Sequence, residues 1–530
     1  MKKLFKYIFT GASALILASC NNFLDVNGNN PNSPTTATPE LVLPQAITYM
    51  ANNFVNYSDY GRTIIYIANA GGYGGWGTQF TYDYTNSNFN NLFTSVYDNV
   101  LDFEFVIKNS DAATGPYFIA ASNISKAFLY MNLVNEFNDV PFTEAAKGAD
   151  FLTPKYDKAQ DIYKGLVTIL DDAIAQIKAV PPGSALQLGG ADVLFKGDMN
   201  KWIQFANTIK LKLYVYANGK GVFTGQPTFS AEGFLTDDAM VNPGYEKLDG
   251  KQNPWWNRHH SDYNQAAQVA YGRQYIANTF TLQFYNGNKI TDEGRGKATY
   301  RLWPTVATNH MGNAPTPDNL PTIGGTLGSS PFYIGTPGAT TGGQNTIGTL
   351  KGLAMSQPIM LAAESHFLQA EAMVNGILTG DAAVAFKAGI EASFKYLYKG
   401  ADGGVAAGKD PAADAAKYIA ANPNSPLVNF VLADTKEKKV EAIVTQKFIA
   451  YNNIGGHIAW EDFRRTGYPT IVANGSSTQT FVSTKSNATT VDKLPGRLLY
   501  PVSEFTLNAD NVPKDVTVFG SYVFYDRRNK

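Results

Sequence analysis

Apolar residues recur at helical spacing in two neighbouring stretches: Phe93, Val96, Tyr97, Val100, Phe103 and Ile107, then Ala120, Ile124, Ala127, Phe128, Met131 and Val134. A stripe of that period buries one face of a helix, so the two stretches predict an antiparallel helix pair. A second pair follows. Ile162, Leu166, Ile169, Leu170, Ala173, Ile174 and Ile177 form one stripe; Trp202, Phe205, Ala206, Ile209, Leu213 and Tyr216 form the other, with Asp198 as a start signal and Gly219 as a stop. The pattern returns from Pro358, read as a first-turn proline, through Met360, Ala363, Phe367, Ala370 and Val374 to Gly376. Asp381 then opens a stretch reaching Leu397, and shorter helices are expected over 411–421 and 434–451. Pairs that each bury a face on the next predict a mainly α, solenoid-like core of irregular period.

Two regions interrupt that pattern. Residues 219–352 are rich in Gly, Asn, Thr and Pro, with a low-complexity passage at 324–348. From Thr466 onward, short apolar runs alternate with turns, and small strands are expected over 498–502 and 516–524. Both read as elaborations of one helical body, and loops of such length in a compact protein are commonly functional.

The N-terminus carries a different pattern: Met1, Lys2, Lys3, Leu4, Phe5 and Lys6, an apolar run, then Leu17, Ala18, Ser19 and Cys20, the only cysteine of the chain. A basic start, an apolar stretch too short to span a bilayer and a small-residue cleavage site mark an export signal over residues 1–19. A cysteine at the cleavage point makes it a lipoprotein signal, with Cys20 taking the lipid. Residues 20–39, rich in Asn, Pro, Thr and Ser, then read as a tether. The body is one unit over 40–530, with helical repeats at about 90–218 and 356–454, a ligand-loop insertion at about 219–355 and an irregular region at about 455–530.

With 530 residues, 44% of them hydrophobic, the chain is long enough for a sizeable core. Its net charge of -1 argues against nucleic acid as a partner, since phosphate binding needs a basic surplus. One cysteine allows no disulfide framework.

Most motif matches lead nowhere. Gly72, Gly74 and Gly77 satisfy G-x-G-x-x-G, but the residues after them open a helix poorly, and a dinucleotide fold needs that helix N-terminus. His259 and His260 are adjacent rather than four apart and read as a packed or solvated pair. Neither a phosphate-binding loop, nor H-E-x-x-H, nor G-x-S-x-G occurs. Asp171 with Asp172 reads as a helix surface, and Glu461 with Asp462 as ion-pair partners for Arg464 or Arg465. A carboxylate pair for glycoside hydrolysis cannot be located from spacing alone, so a surface glycoside hydrolase stays as an alternative and a non-enzyme is the better reading. The residues call for no cofactor and no metal, although they leave open a structural calcium ion.

The tryptophans are more informative. Trp202 lies on a helical stripe and reads as core, and Trp460 as part of a structural turn. Trp76 stands among glycines and tyrosines, including Tyr73; Trp255 and Trp256 follow Asn253 and Pro254; and Trp303 follows Tyr300 and Arg301. Indole faces stack on the apolar faces of sugars while Arg, Asn and Asp satisfy hydroxyls. Arg62, Tyr73, Trp76, Trp255, Trp256 and Trp303 are therefore the candidate ligand-binding residues. Pinning long loops to the body is the competing reading for each.

Several motifs occur in an order that resembles the SusD/RagB outer-membrane lipoproteins of Bacteroidota. They are the stretch from Cys20 through Asn21, Asn22, Phe23, Leu24 and Asp25; the Gly197-Asp198 start of a helix with Trp202, Ala206 and Asn207; and Glu364 through Ala372. Gln446-Lys447-Phe448, Trp460 through Pro469 and Arg497 through Pro501 complete the series. The resemblance implies a SusD-like fold: four tetratricopeptide-like helix pairs holding long irregular loops and small β elements, without catalytic activity. It implies a lipid-anchored protein on the outer face of the outer membrane that captures an oligo- or polysaccharide and acts as the lid of a SusC-like TonB-dependent transporter. A RagB-like peptide-binding lid is the alternative within the same resemblance. Trp202 and Arg464 through Pro469 match the motifs and read as scaffold, whereas the loop aromatics are not matched positions.

Overall fold

The computed structural model describes residues 37–70, 76–264, 274–314, 330–335 and 345–529. Cys20, the export signal, most of the tether, Tyr73 and most of the low-complexity passage lie outside the described residues.

The first helix, α1 (Pro39–Ile65), starts with a proline at its first position after an extended Thr38. The predicted pairs follow as α2 (Asn91–Asn109) with α3 (Pro116–Phe137), then α4 (Ala159–Ala179) with α5 (Met199–Tyr216). The members of each pair pack together, and α3 also packs on α4. Asp198 caps α5, its Oδ1 accepting from the backbone N–H of Asn200 and Lys201 at 3.0 and 3.2 Å. Within the insertion lie α6 (Pro254–His259) and α7 (Glu293–Thr299), capped by Asn253 and Asp292. Helical pairing resumes with α8 (Ala362–Asn375), stopped by Gly376 at φ +76°, and α9 (Ala382–Tyr398), capped by Asp381. Next come α10 (Pro411–Ala421), α11 (Lys436–Ala450) and α12 (Gly456–Thr466). Helix α8 packs on α9, α11 and, across the insertion, on α5.

Strands are short. The three-stranded sheet has the order β1 (Ile67–Asn69), β5 (Tyr275–Asn278), β6 (Thr308–Asn309). Strands β1 and β5 are antiparallel, Asn69 opposite Tyr275, and β5 and β6 are parallel. Two ribbons complete the set: β2 (Val140–Pro141) with β3 (Tyr156–Asp157), and β4 (Ala239–Val241) with β7 (Gln357–Met360).

Four expectations change. Pro358 lies in β7, paired with β4, and the helix begins only at Ala362. Trp460 sits inside α12 rather than in a turn, in a region expected to be irregular. Residues 498–502 and 516–524 form no strands; Val502–Leu507 is a short helix instead. Helix α1 was not foreseen, although Leu43, Ala46, Ile47, Met50, Phe54 and Tyr57 trace a buried stripe along it.

Two contacts tie the halves of the chain together. Helix α1 crosses α12 so closely that a Cβ on Gly61 would stand 2.2 Å from the backbone N of His457, and one on Gly456 2.2 Å from the backbone N of Arg62. Ser58 secures the crossing, donating to the carbonyl of Ile454 at 2.9 Å and accepting from Gly456 N–H at 3.1 Å. At the other contact, a buried ionic cluster joins five helices. Lys212 of α5 lies 3.2 Å from both Glu364 of α8 and Glu461 of α12. Lys447 of α11 lies 3.0 Å from Asp462, which also receives Arg465 at 2.9 Å; Arg464 reaches Glu136 of α3 at 2.8 Å.

Because the Gly456 position meets backbone, its neighbours cannot rotate out of the way. Gly456→Ala should lower the free energy of unfolding by about 3 kcal/mol or more in chemical denaturation, against a near-zero effect for Gly190→Ala, where a Cβ would meet open space.

Candidate ligand-binding site

Helix α1 ends where β1 begins, and Arg62 in its last turn faces an aromatic layer drawn from the insertion. Its guanidinium carbon lies 5.0 Å from the Trp255 ring centroid, 5.2 Å from Tyr275 and 5.5 Å from Phe332. Arg62 Nη2 donates to Asn453 Oδ1 at 2.6 Å, which ties the layer to the loop before α12. Its Nη1 lies 3.0 Å from the His259 ring nitrogens, and His259 Nε2 lies 2.9 Å from Asp59 Oδ1. A neutral imidazole with its proton on Nε2 suits both neighbours, facing the carboxylate with a donor and the guanidinium with an acceptor.

Charge and burial set the protonation states. Burial alone would raise the Asp59 carboxyl, but His259, Arg258 and Arg62 together hold it well below the usual carboxylate range. Burial pushes His259 down to about 4, with Asp59 opposing only in part. Next to it, His260 is pushed down to about 3, again by burial, with Arg301 adding to the shift. The adjacent histidines are thus a packed, neutral pair.

Trp76 extends the layer, lying nearly parallel to Phe80 at 5.7 Å and edge-on to Tyr275 at 5.3 Å. Trp256 stacks on His260 at 3.8 Å, and His260 meets Tyr333 at 4.4 Å. The fold therefore brings Arg62, Trp76, Trp255 and Trp256 into one layer. All four are buried; Trp76 is 6% exposed, Trp255 3% and Trp256 0%, so their side chains lie beneath the surface. Trp303 is placed apart from them. It is only partly buried, and its ring covers Gly296 of α7 so tightly that a Cβ there would stand 2.7 Å away. Leu302 beside it is 57% exposed.

Sequence reading missed Asp59, Tyr275, Phe332 and Tyr333. Of these, Tyr275 had a usable signal, the short apolar run Tyr275-Ile276-Ala277 that forms a buried strand; the others are single residues whose contacts come from distant segments. Among the described residues, four buried nitrogens of the layer have no hydrogen-bond partner: Arg62 Nε, Trp76 Nε1, Trp256 Nε1 and His260 Nε2. Leaving such a group unpaired costs about 1–3 kcal/mol, which makes each a natural receiver for water or a polar ligand. No group of three His, Cys, Asp or Glu side chains able to hold a metal occurs among the described residues. No helix among them is long and apolar enough to cross a membrane.

These features define a mainly helical protein with a buried aromatic, cation-containing layer at the end of its first helix. The chain belongs to the SusD/RagB family of outer-membrane proteins. A family profile described as "Starch-binding associating with outer membrane" matches residues 31–274, and one described as "Susd and RagB outer membrane lipoprotein" matches residues 347–522. Among solved structures, a chitin-binding SusD homolog from Flavobacterium johnsoniae aligns with a TM-score of 0.64 at 21% identity, over 92% of this chain and 99% of that one. A SusD homolog from Bacteroides uniformis aligns with a TM-score of 0.62 at 22% identity over the same shares. Another, from Bacteroides fragilis, gives 0.61 at 19% identity over 93% and 98%. At these identities the likeness is one of fold. No curated protein matches the sequence.

Two measurements check the site. Below pH 6.5 the unfolded chain protonates His259 and His260 while the fold keeps them neutral, so their contribution is complete above 6.5 and is lost as pH falls towards about 4 for His259 and about 3 for His260. Unfolding free energies from urea titration at pH 7 and pH 5 should differ by about 2 kcal/mol per histidine, and His260→Gln should remove its share of that difference. Trp256→Ala should cost about 3–5 kcal/mol of stability, as expected for a fully buried indole.

Proposed function

We propose that the chain is a cell-surface nutrient-binding lipoprotein, anchored through Cys20, that captures an oligo- or polysaccharide. It passes the glycan to a SusC-like TonB-dependent transporter, for which it serves as the lid, and it catalyses nothing itself. The observation that carries the reading is the aromatic layer with its unmet N–H groups, built on a fold shared with outer-membrane proteins. Aromatic rings offer contact area to apolar sugar faces, and unpaired indole and imidazole nitrogens suit hydroxyls. The Flavobacterium johnsoniae neighbour, described as chitin-binding, supports a glycan over a peptide.

Within this reading the proposed residues divide by depth. Trp303, partly exposed, contacts the sugar directly. Arg62, Trp76, Trp255 and Trp256, all buried, act on the ligand indirectly, by ordering the segments above them. Tyr73 belongs to the set on its place in the sequence.

Calorimetry of the purified full chain against a panel of neutral glycans and peptides tests the proposal. A glycan should bind, and Trp303→Ala should weaken it about tenfold, about 1.4 kcal/mol, while the variant still unfolds cooperatively, with a melting temperature lowered only by the lost packing on Gly296. Binding of peptides alone would replace the glycan with a RagB-like peptide ligand. Release of shorter sugars on incubation would make the protein a hydrolase.

A further inference from the structure

A cleft of about 330 Å³ opens where α7, α9 and α10 meet, lined by the aromatic residues Phe394, Tyr398 and Tyr418 and by three lysines, Lys297, Lys409 and Lys417. Two carboxylates share its walls, Glu293 and Asp414. Each already has a lysine: Lys297 pairs with Glu293 at 2.5 Å and Lys417 with Asp414 at 2.9 Å. Tyr398 fixes Asp414 from the other side, donating its hydroxyl at 2.8 Å. Lys409 is the exception. Its ammonium lies 4.8 Å from the Tyr398 ring centroid and forms no ion pair among the described residues.

We infer that this cleft binds the carboxylate-bearing unit of an acidic saccharide, a hexuronate, with Lys409 receiving the carboxylate. The inference rests on the reading that the chain captures glycans. Charge selects the class of ligand. Three ammonium groups against two carboxylates leave one positive charge, enough for a single carboxylate. A dianionic phosphate would meet repulsion from Glu293 and Asp414, whereas the hydroxyls of a uronate find acceptors in those same oxygens. Position supports it too. Glu293, Gly294 and Lys297 of α7 line the cleft, and Gly296 of the same helix carries Trp303. The helix has seven residues and is about 10 Å long, so the cleft and Trp303 are near neighbours along it.

Calorimetry of the purified full chain with trigalacturonate, with neutral galactotriose and with the neutral glycan that binds best in the panel tests this. Trigalacturonate should bind more tightly than galactotriose, less so in high salt, and Lys409→Gln should weaken it at least tenfold. Binding of the neutral glycan and the melting temperature should stay unchanged in that variant. Trigalacturonate binding no tighter than galactotriose, or equally tight in Lys409→Gln, would overturn the inference and leave glycan capture standing. Failure of every glycan to bind would overturn both.

Discussion

The backbones of α1 and α12 touch at Gly61 and Gly456, where an added methyl group on either side would stand 2.2 Å from the opposing main chain. Nothing larger than hydrogen fits, so the crossing has one depth and one register. Ser58, bonded to Ile454 and Gly456, fixes the rotation as well. This contact lies between segments about 400 positions apart, and it joins the portion of chain that carries the first helix pairs to the portion that carries the last. Five residues beyond the crossing, α12 enters the ionic cluster with Glu461, Asp462, Arg464 and Arg465. Buried charges are costly unless fully paired, and here they alternate in sign across α3, α5, α8, α11 and α12. Such a cluster tolerates one arrangement of those helices and penalises others.

The same crossing positions the site. Arg62 follows Gly61 directly, so the register that seats the glycine also aims the guanidinium at Trp255, Tyr275 and Phe332. Its second bond, to Asn453, comes from the loop that leads into α12. Scaffold and ligand layer are therefore not separate modules. A shift at the helix crossing moves the cation that holds the aromatic rings, and the insertion, whose strands and helices are short among the described residues, takes its order from that anchor.

Much of this was legible in the sequence. Helices α2 to α5 and α8 to α11 followed from apolar period and from caps such as Asp198, Asp381 and Gly376, because local chemistry decides where those helices start and stop. The motifs behind the family resemblance supply cluster residues: Glu364, Lys447, Glu461, Asp462 and Arg464 are charged yet buried, and Arg465 is partly buried beside them. Burial itself was not legible. Trp255 and Trp256 sit in a polar, glycine-rich stretch that reads as loop, yet α6 turns both inward, and their neighbours Tyr275, Phe332 and Tyr333 come from segments that periodicity cannot connect. Helix α1 was hidden by the Asn- and Pro-rich stretch before it and by Pro44 inside its second turn.

The central claim is that ligand is received over the Arg62 layer and not on the helical repeats. Hydrogen exchange of the full chain, with and without a saturating bound glycan, tests it most directly. The account predicts added protection over the end of α1 and β1, over β5 and around Tyr300 to Trp303, with α4 and α5 unchanged. Protection confined to the repeat helices, with none around Arg62 and Tyr275, would contradict it.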